Sequence, residues 1–332
     1  MANVTIYDVA RAAGVSIATV SRVLNSPHQV NETTRQQVLA IIDRLGYVPK
    51  VEAMARARQR YQRIGVLAPF FTVPSFVERL RGVANVLDGS PFELVVYNVD
   101  TPAHCQHYLE SLPVAQRIDG LIVMSLRIHD RVAERFVRQR LPTVLIETTH
   151  PVLSSVEIDN IGGGRLAAEY LLAQGYRRLA FVGGDSEIPG YTLHTSELRL
   201  AGFRERLHDA GVTVPNAAVR MTLNSMEYAR QQAHLLFDLP EPPTAIFAAS
   251  DTLAMGVLKA VRERKLRAPA DVAVVGFDDL EIADYIGLTT VDQSLNESGR
   301  VAVEMLLARL VDPTRPVQRV RLALNLVKRE SA

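Results

Sequence analysis

Beyond residue 63 the chain alternates short apolar runs with longer segments of helical periodicity. The apolar runs cover residues 64–68, 94–97, 120–124, 144–146, 179–182, 245–248 and 272–275. The helical segments between them include residues 74–87, 161–173, 196–210 and 252–264. This alternation predicts parallel sheets with helices on both faces, and continuous apolar strands fit sheets buried on both sides. Since about 270 residues exceed one ordinary doubly wound domain, the pattern predicts an α/β body of two lobes.

The first 46 residues show a different pattern, in which apolar positions recur at the spacing of short helices. The predicted helices cover residues 6–13, 17–25 and about 32–46. Thr5 and Ser16 are candidate N-caps of the first two helices, and Gly14 is a candidate helix end between them. Helix, short glycine-containing turn and helix is the spacing of a helix-turn-helix motif. The sequence therefore predicts a small all-α head in front of the body.

Composition restricts the kind of protein this can be. Hydrophobic residues make up 48% of the chain and charged residues 22%, as in ordinary globular proteins. No run of about 18 apolar residues is present, and the N-terminus lacks the basic and apolar regions of a secretory signal. Cys105 is the single cysteine, which excludes an intrachain disulfide and a cysteine metal cluster. We expect no membrane association and a cytoplasmic location.

The formal net charge of +1 conceals an asymmetry between the two parts. Residues 1–63 hold nine basic and four acidic side chains, a net charge of +5, which leaves −4 for the rest. A basic head on a mildly acidic body suggests that the head binds a polyanion. A solvated terminal segment or a three-helix oligomerisation module are the alternative interpretations of the head.

The second predicted helix carries side chains suited to reading DNA in the major groove. Arg22 can donate two hydrogen bonds to guanine, while Ile17 and Ala18 can contact thymine methyl groups. Short polar groups nearby suit phosphate oxygens, which position a protein without specifying sequence. These candidates are Thr5, Tyr7, Ser16, Thr19, Ser21 and Asn25.

The same stretch closely resembles the N-terminal signature of a known family. Residues 4–25 begin Val-Thr-Ile-Tyr-Asp-Val-Ala and end Ser-Arg-Val-Leu-Asn, and residues 30–35 and 45–49 follow the pattern too. The pattern resembles that of LacI/GalR transcription regulators, and it adds Tyr47 to the candidate DNA contacts. The resemblance continues through the body at residues 159–160, 175–184, 198–203, 243–251, 275–279, 288–291 and 326–329. It implies a body like that of periplasmic sugar-binding proteins, in which the chain crosses three times between the lobes.

The hinge segment departs from the family pattern. The resemblance implies that residues 47–61 form a helix when two subunits sit on DNA, and that a leucine from each subunit wedges a base step open. Family members carry that leucine seven residues after the proline, where this chain has Arg56 after Pro49. Ala53 fits close packing of paired hinge helices. Either Met54 supplies the wedge in a shifted register, or Arg56 reads groove shape and potential instead.

A cleft between the lobes is the expected ligand site, because ligands of open α/β sheets bind beyond the carboxyl ends of the strands. The resemblance assigns Arg199 and Asp278 as the pair that holds an effector, since a guanidinium and a carboxylate can bind vicinal hydroxyls of a sugar. It places the aromatic Phe76 against the ligand. Further candidates are Phe70, Ser75, Ser125, Thr148 and Ser250.

Two rival functions have weaker support. Residues 162–167 satisfy the dinucleotide pattern G-x-G-x-x-A, but Asn160 and Ile161 separate the first glycine from the preceding strand. The motifs G-x-S-x-G, H-E-x-x-H and Walker A are absent from the sequence, so we expect neither an enzyme nor a cofactor. A solute-binding protein without a DNA role would suit the body but leaves the head unexplained.

The sequence thus predicts a DNA-binding transcriptional regulator, most simply a repressor, that is controlled by a small molecule such as a sugar. The expected parts are a head of residues 1–46, a hinge of 47–61 and a body of 62–332. Within the body, the N-terminal lobe is expected at 62–159 with 291–320, and the C-terminal lobe at 160–290 with 321–332. A homodimer should bind pseudo-palindromic double-stranded operator DNA, since no heptad repeat follows Arg329 to hold a tetramer. The effector and its sign, inducer or corepressor, stay open.

Overall fold

A computed structural model describes residues 4–25, 30–45, 47, 61–115, 117–184 and 188–332. The chain divides into two compact units, Met1–Tyr61 and Gln62–Ala332. The first unit includes the sequence ranges of the predicted head and hinge, and we call the second unit the body.

The head contains three helices, α1 (Ile6–Ala13), α2 (Ile17–Asn25) and α3 (Glu32–Leu45). At the start of α1 the Thr5 amide and hydroxyl both donate to the Asp8 carboxylate, at 2.9 and 2.6 Å. Gly14 ends this helix with a left-handed φ of 63°, and the Ser16 hydroxyl accepts from the amide of Thr19 at 3.1 Å to cap α2. The predicted caps and turn are confirmed.

Six buried apolar side chains form the core of the head: Val9, Ala10, Ala13, Val20, Val23 and Val38. The amide of Gln37 in α3 donates to the carbonyl of Ala13 at 3.1 Å, which ties the third helix to the end of the first. This core orients the remaining faces of α2 outward.

The body continues with nine helices and twelve strands over the described residues. The helices are α4 (Pro74–Leu87), α5 (Pro102–Ala115), α6 (Asp130–Arg138), α7 (Asn160–Ala173), α8 (Thr195–Asp209), α9 (Met226–Phe237), α10 (Asp251–Glu263), α11 (Glu281–Tyr285) and α12 (Leu295–Val311). The strands are β1 (Arg63–Pro69), β2 (Glu93–Val99), β3 (Gly120–Met124), β4 (Thr143–Ile146), β5 (Ser154–Glu157), β6 (Leu179–Gly184), β7 (Val219–Thr222), β8 (Ala245–Ala248), β9 (Ala273–Asp278), β10 (Thr289–Asp292), β11 (Arg319–Arg321) and β12 (Asn325–Val327).

Two six-stranded sheets define the two lobes. The N-lobe sheet has the order β11-β5-β4-β3-β1-β2 and is parallel throughout. The C-lobe sheet has the order β12-β10-β9-β8-β6-β7 and is parallel except for β12, which pairs antiparallel with β10. Strand β11 runs parallel to β5 and so ends at the side of the N-lobe where the chain crosses, and after residues 322–324 the chain enters the C-lobe sheet from that side, which makes β12 antiparallel to β10. The predicted fold class is confirmed. The chain crosses between the lobes three times, after β5, after β10 and after β11.

Strand periodicity explains why both faces of the sheets are covered. In β1, Val66 and Ala68 belong to one apolar cluster of the N-lobe and Leu67 to the other. Successive side chains of a strand point to opposite faces, so an uninterrupted apolar strand supplies both layers of core. Across the described residues, no helix combines the length and apolar character that crossing a bilayer requires.

Each lobe contains one pair of helices whose backbones touch through glycines. A Cβ on Gly299 of α12 would lie 2.0 Å from the carbonyl oxygen of Arg79 in α4, and a Cβ on Gly164 of α7 would lie 1.9 Å from that of Arg199 in α8. The reciprocal contacts are equally close, at Gly82 in the first pair and Gly202 in the second. Any larger residue at these positions would push the helices apart.

Replacing Gly202 by alanine should therefore destabilise the body. Its Cβ would lie 1.9 Å from the carbonyl oxygen of Ile161. Alanine gains about 1 kcal/mol of helix propensity, but overpacking against backbone outweighs this, and we expect a net loss of about 2 kcal/mol in the free energy of unfolding. Urea denaturation measures the change. The neighbouring exposed position provides the control, since Ala201→Ser should stay within about 0.5 kcal/mol of the parent; equal stability of Gly202→Ala would contradict the close contact.

Candidate functional sites

A cavity with about 820 Å³ of empty space, part of it open to solvent, lies between the lobes. Residues that follow β1, β3 and β4 line it from the N-lobe, and residues that follow β6, β8 and β9 line it from the C-lobe. The carboxyl ends of parallel strands converge at one edge of a sheet, which is why these segments meet.

Seven of the eight candidate effector residues line this cavity: Phe70, Ser75, Phe76, Ser125, Arg199, Ser250 and Asp278. The eighth, Thr148, is buried and is not among the lining residues, whereas the preceding Glu147 is. Ser250 also caps α10, where its hydroxyl accepts from the amide of Leu253 at 3.2 Å.

Arg199 is held rigidly at the floor of the cavity, where its side chain is only 6% exposed. Its Nε donates to Asn160 Oδ1 at 2.8 Å and its Nη1 to the carbonyl of Ala249 at 2.5 Å. The guanidinium carbon lies 3.6 Å from the centre of the Phe277 ring, a cation–π contact. These contacts fix the direction in which the guanidinium faces the cavity.

Arg79 is a second buried arginine at this floor, and the sequence analysis missed it. Its Nη1 donates to the Ser125 hydroxyl at 3.3 Å and its Nη2 to Gln293 Oε1 at 3.1 Å. The Nε of Arg79 has no hydrogen-bond partner within the described part of the chain. Helical spacing could have found this residue, because it lies three positions after Phe76 and therefore on the same face of α4.

Glu147 lies between the two arginines and belongs to the N-lobe. Its carboxylate oxygens are 3.3 Å from Arg79 Nη1 and 3.7 Å from Arg199 Nη2, and the Ser125 hydroxyl donates to it. Burial opposes ionisation, but the two guanidinium groups outweigh it and hold the pKa of Glu147 below its usual value. The carboxylate therefore forms a charged link between the lobes.

Asp278 completes the group from the C-lobe side. Gln293 Nε2 donates to Asp278 Oδ1 at 2.5 Å, and Arg199 Nη1 lies 3.9 Å from the same oxygen. Burial raises the pKa of Asp278 to about 6 even though Arg199 and Gln293 favour the charged form. Behind it, Asp251 is fully buried, and burial together with the charge of Asp278 raises its pKa as well.

Backbone conformation marks the same edge of the sheets. Phe70, Ser125, Glu147 and Asp278 all have positive φ, at 45°, 51°, 70° and 128°. Such conformations cost energy for residues other than glycine and cluster at functional sites. Here each one stands where the chain leaves a strand, and its own side chain lines the cavity.

The floor of the cavity thus offers two guanidinium groups, two carboxyl groups and the amide of Gln293, with the Phe70 and Phe76 rings nearby. Paired donors and acceptors beside an apolar wall suit a small polar molecule with several hydroxyl groups. Within the described ranges, no group of three or more His, Cys, Asp or Glu side chains could hold a metal ion.

The glycines of the dinucleotide-like pattern have structural roles. The Asp159 carboxylate accepts from the amide of Gly162 at 2.8 Å and caps α7. A Cβ on Gly163 would lie 2.5 Å from the Phe277 ring, and Gly164 meets the backbone of Arg199. The pattern is explained by close packing of α7 rather than by a phosphate-binding turn.

The head exposes most of the candidate DNA contacts. Tyr7 is 63% and Ile17 40% exposed, and Ala18 and Arg22 are exposed beside Ile17 on α2. Thr19 and Ser21 are half-buried, while the Ser16 hydroxyl caps α2 and the Thr5 hydroxyl donates to the Asp8 carboxylate. Tyr47 packs against the core of the head. The side chain of Asn25 and the hinge candidates Ala53, Met54 and Arg56 lie outside the described residues.

Comparison with known proteins identifies similar domains for both parts of the chain. Residues 5–50 match the model for bacterial regulatory proteins of the lacI family, and residues 168–332 match the periplasmic binding protein-like domain. The ribose operon repressor of Escherichia coli strain K12 is 32% identical over 336 residues, which cover 99% of each chain. The chain belongs to the LacI family. Its members are regulators of transcription rather than enzymes.

Two solved structures of LacI-family proteins are similar to the structure of this chain. The lac repressor dimer bound to operator and the anti-inducer ONPF is 29% identical, with a TM-score of 0.75 over 99% of both chains. A LacI-family regulator from Enterococcus faecium with bound ribose is 26% identical, with a TM-score of 0.71 over 81% of this chain and 98% of that one.

The raised pKa of Asp278 predicts a specific pH dependence of stability in this LacI-family protein. Between its usual value of 3.8 and about 6, the folded state binds a proton that the unfolded chain releases, so this group's contribution to stability falls as pH rises through that window and is constant above it. In Asp278→Asn this fall should be absent. The free energies of unfolding of the two proteins should diverge by up to about 3 kcal/mol between pH 4 and pH 7, since each unit of pKa shift corresponds to about 1.4 kcal/mol.

Urea unfolding of the body at the two pH values measures this divergence. Asp209→Asn, at an exposed position on α8, provides the control and should keep the pH dependence of the parent. A parallel pH dependence of Asp278→Asn and the parent would show that burial does not raise the pKa of this carboxyl.

Proposed function

We propose that this LacI-family chain is a dimeric repressor whose affinity for operator DNA is controlled by a small polyhydroxylated molecule, most simply a sugar, bound in the cavity between the lobes. The observation that carries the proposal is the buried group of Arg79, Glu147, Arg199, Asp278 and Gln293, which joins the lobes at the cavity floor. Such a DNA-binding regulator works in the cytoplasm.

Sugar binding is supported by the chemistry of this group. Arg199 and Asp278 can together donate to and accept from neighbouring hydroxyls, and the aromatic rings of Phe70 and Phe76 can cover the apolar face of a sugar ring. The two arginines already have carboxylate partners, so the cavity does not require an anionic ligand. The names of relatives that concern ribose point to the same class of effector.

Coupling between the cavity and DNA follows from the way the lobes are joined. Glu147 of the N-lobe contacts Arg199 of the C-lobe, and Gln293, which directly follows β10 where the chain crosses between the lobes, bonds both Arg79 and Asp278. An effector that competes for these groups changes the balance between alternative lobe arrangements. The N-lobe continues in sequence into the hinge and the head, so operator and effector affinities are linked, and the linkage is reciprocal.

The dimer face that we propose lies on the C-lobe. Met221, Leu223, Met226 and Tyr228 are each more than 40% exposed within eight residues. Met221 lies in β7, at an edge of its sheet, and the other three follow this strand. An exposed sheet edge can pair with another chain, and an exposed apolar patch marks an interaction site. The lac repressor, which shares this fold, was solved as a dimer on its operator.

Effector binding should depend on Arg199. We expect a thermal-shift panel of pentoses, hexoses and disaccharides to raise the melting temperature of the parent protein with at least one sugar. Arg199→Gln should bind that sugar at least tenfold more weakly, because a charge-assisted hydrogen bond contributes about 1.5–3 kcal/mol. Arg165→Gln, whose parent side chain is exposed and paired with Glu205, should bind as the parent does. Undiminished binding by Arg199→Gln would exclude this arginine from the site.

Base recognition should depend on Arg22. Operator sequences can be selected from random duplex DNA with the full-length protein. Arg22→Ala should lose about 1–3 kcal/mol of preference at one base pair of each half-site, whereas Ser16→Ala should weaken binding to all sequences similarly. Fluorescence anisotropy on the selected operator and on single-base variants measures both effects. Retained preference at every position in Arg22→Ala would assign base reading to other side chains.

A further inference from the structure

Residues 188–194, which we call the strap, connect two elements of the C-lobe but pack on the N-lobe. The strap follows β6 by three residues and leads directly into α8, the helix that carries Arg199. Both flanking elements belong to the C-lobe. A loop confined to its own lobe would have no contacts in the core of the other.

The first apolar residue of the strap lies inside the N-lobe core. Ile188 is only 2% exposed and belongs to the apolar cluster that includes Leu126, Ile128 and Phe136. Tyr191 packs against the same cluster. Two side chains of a C-lobe loop therefore complete the hydrophobic core of the N-lobe, which is a stronger connection than surface contact.

Polar contacts hold the strap in the same place. The amide of Arg127, in the N-lobe, donates to the carbonyl of Tyr191 at 2.9 Å. His129 Nε2 lies 3.3 Å from the carbonyl oxygen of Gly190, and the rings of His129 and Tyr191 meet edge-on with centroids 5.8 Å apart. Burial, with a smaller contribution from the charge of Glu110, raises the pKa of Tyr191, in accord with a ring seated among N-lobe groups.

The strap is also a compact turn with little slack. The carbonyl of Ile188 accepts from the amides of Tyr191 and Thr192 at 2.9 and 3.1 Å. The Thr192 hydroxyl oxygen accepts from the amide of Ile188 at 2.8 Å. These hydrogen bonds fix the positions of Tyr191 and Thr192 relative to Ile188.

The strap also faces the cavity. Ile188, at its docked end, and Thr192, Leu193 and His194 all line it. His194 has a left-handed φ of 54° and directly precedes α8, and its carbonyl accepts from the amides of Glu197 and Leu198 at 3.1 and 3.2 Å. The same short segment thus contacts the N-lobe core, lines the cavity and begins the helix of Arg199.

We propose that the strap fastens the C-lobe to the N-lobe, and that Ile188 and Tyr191 are positioning residues that hold Thr192, His194 and the first turn of α8 in place at the effector cavity. The docked strap ties the lobe arrangement to the geometry of the cavity. The role toward an effector rests on the proposed function, whereas the docking itself does not.

Hydrogen exchange of the full-length protein without ligand tests the proposal. The Arg127 amide reports docking, and the Glu197 and Leu198 amides report the start of α8. In Ile188→Ser and in Tyr191→Ala we expect all three amides to exchange at least tenfold faster than in the parent, with unchanged protection in β3 and β6. Cys105 is fully buried in the same cluster as Ile188, so its alkylation by iodoacetamide should accelerate in parallel.

The control lies on the strap itself. Leu193→Ser makes the same kind of apolar-to-polar change on the cavity side, outside the N-lobe cluster, and should leave the Arg127 amide and Cys105 as protected as in the parent. Unchanged exchange at Arg127 in both docking variants would overturn the proposal. So would faster exchange spread through β3 and β6, because that would show general destabilisation. No ligand is present, so these results are separate from any failure to find a sugar effector.

Discussion

A buried guanidinium group is stable only when acceptors and negative charges surround it, and this body buries two of them within reach of one carboxylate. Arg79 comes from the N-lobe and Arg199 from the C-lobe, and Glu147 contacts both. Each arginine also has partners in its own lobe, Ser125 for Arg79 and Asn160 for Arg199, and the contact of Glu147 with Arg199 joins the two lobes. The relative placement of the lobes in this structure is therefore constrained by electrostatics at the point where a ligand would bind.

Close helix packing sets how deeply these arginines reach. The carbonyl of Arg79 lies against Gly299 and that of Arg199 against Gly164, so the absence of a side chain on one helix brings the backbone of the other inward. Each lobe uses the same arrangement. Backbone contacts outside the cavity thus set its shape. They also help to position the polar groups that line it.

The connections between the lobes differ in character, which suits a regulator. The charged group at the floor can exchange partners with a polar ligand, since hydroxyls can replace the acceptors and donors that it now uses. The strap is apolar where it docks, at Ile188 and Tyr191, and a hydroxylated ligand offers no replacement for those contacts. A hydroxylated ligand can therefore replace the polar contacts at the floor, whereas it cannot replace the apolar contacts of the strap.

Local patterns were enough to predict much of this molecule from sequence. The alternation of apolar and helical segments predicted two parallel-sheet lobes, because strand and helix periods are properties of neighbouring residues. Thr5, Gly14 and Ser16 predicted the turns of the head for the same reason. The departure of β12 from a parallel sheet was not foreseen, because its direction depends on where the preceding strand ends in the other lobe.

The sequence by itself determined the fold class, the head and its caps, and the family, and it directed attention to Arg199 and Asp278. Only the tertiary structure decided that Arg79, Glu147 and Gln293 join them and that residues 188–194 dock on the other lobe. These residues are far apart along the chain, and a buried arginine or an apolar loop residue has no local signature. What determines their roles is the partner that folding places beside each of them, and that partner is chosen by the packing of distant helices and strands.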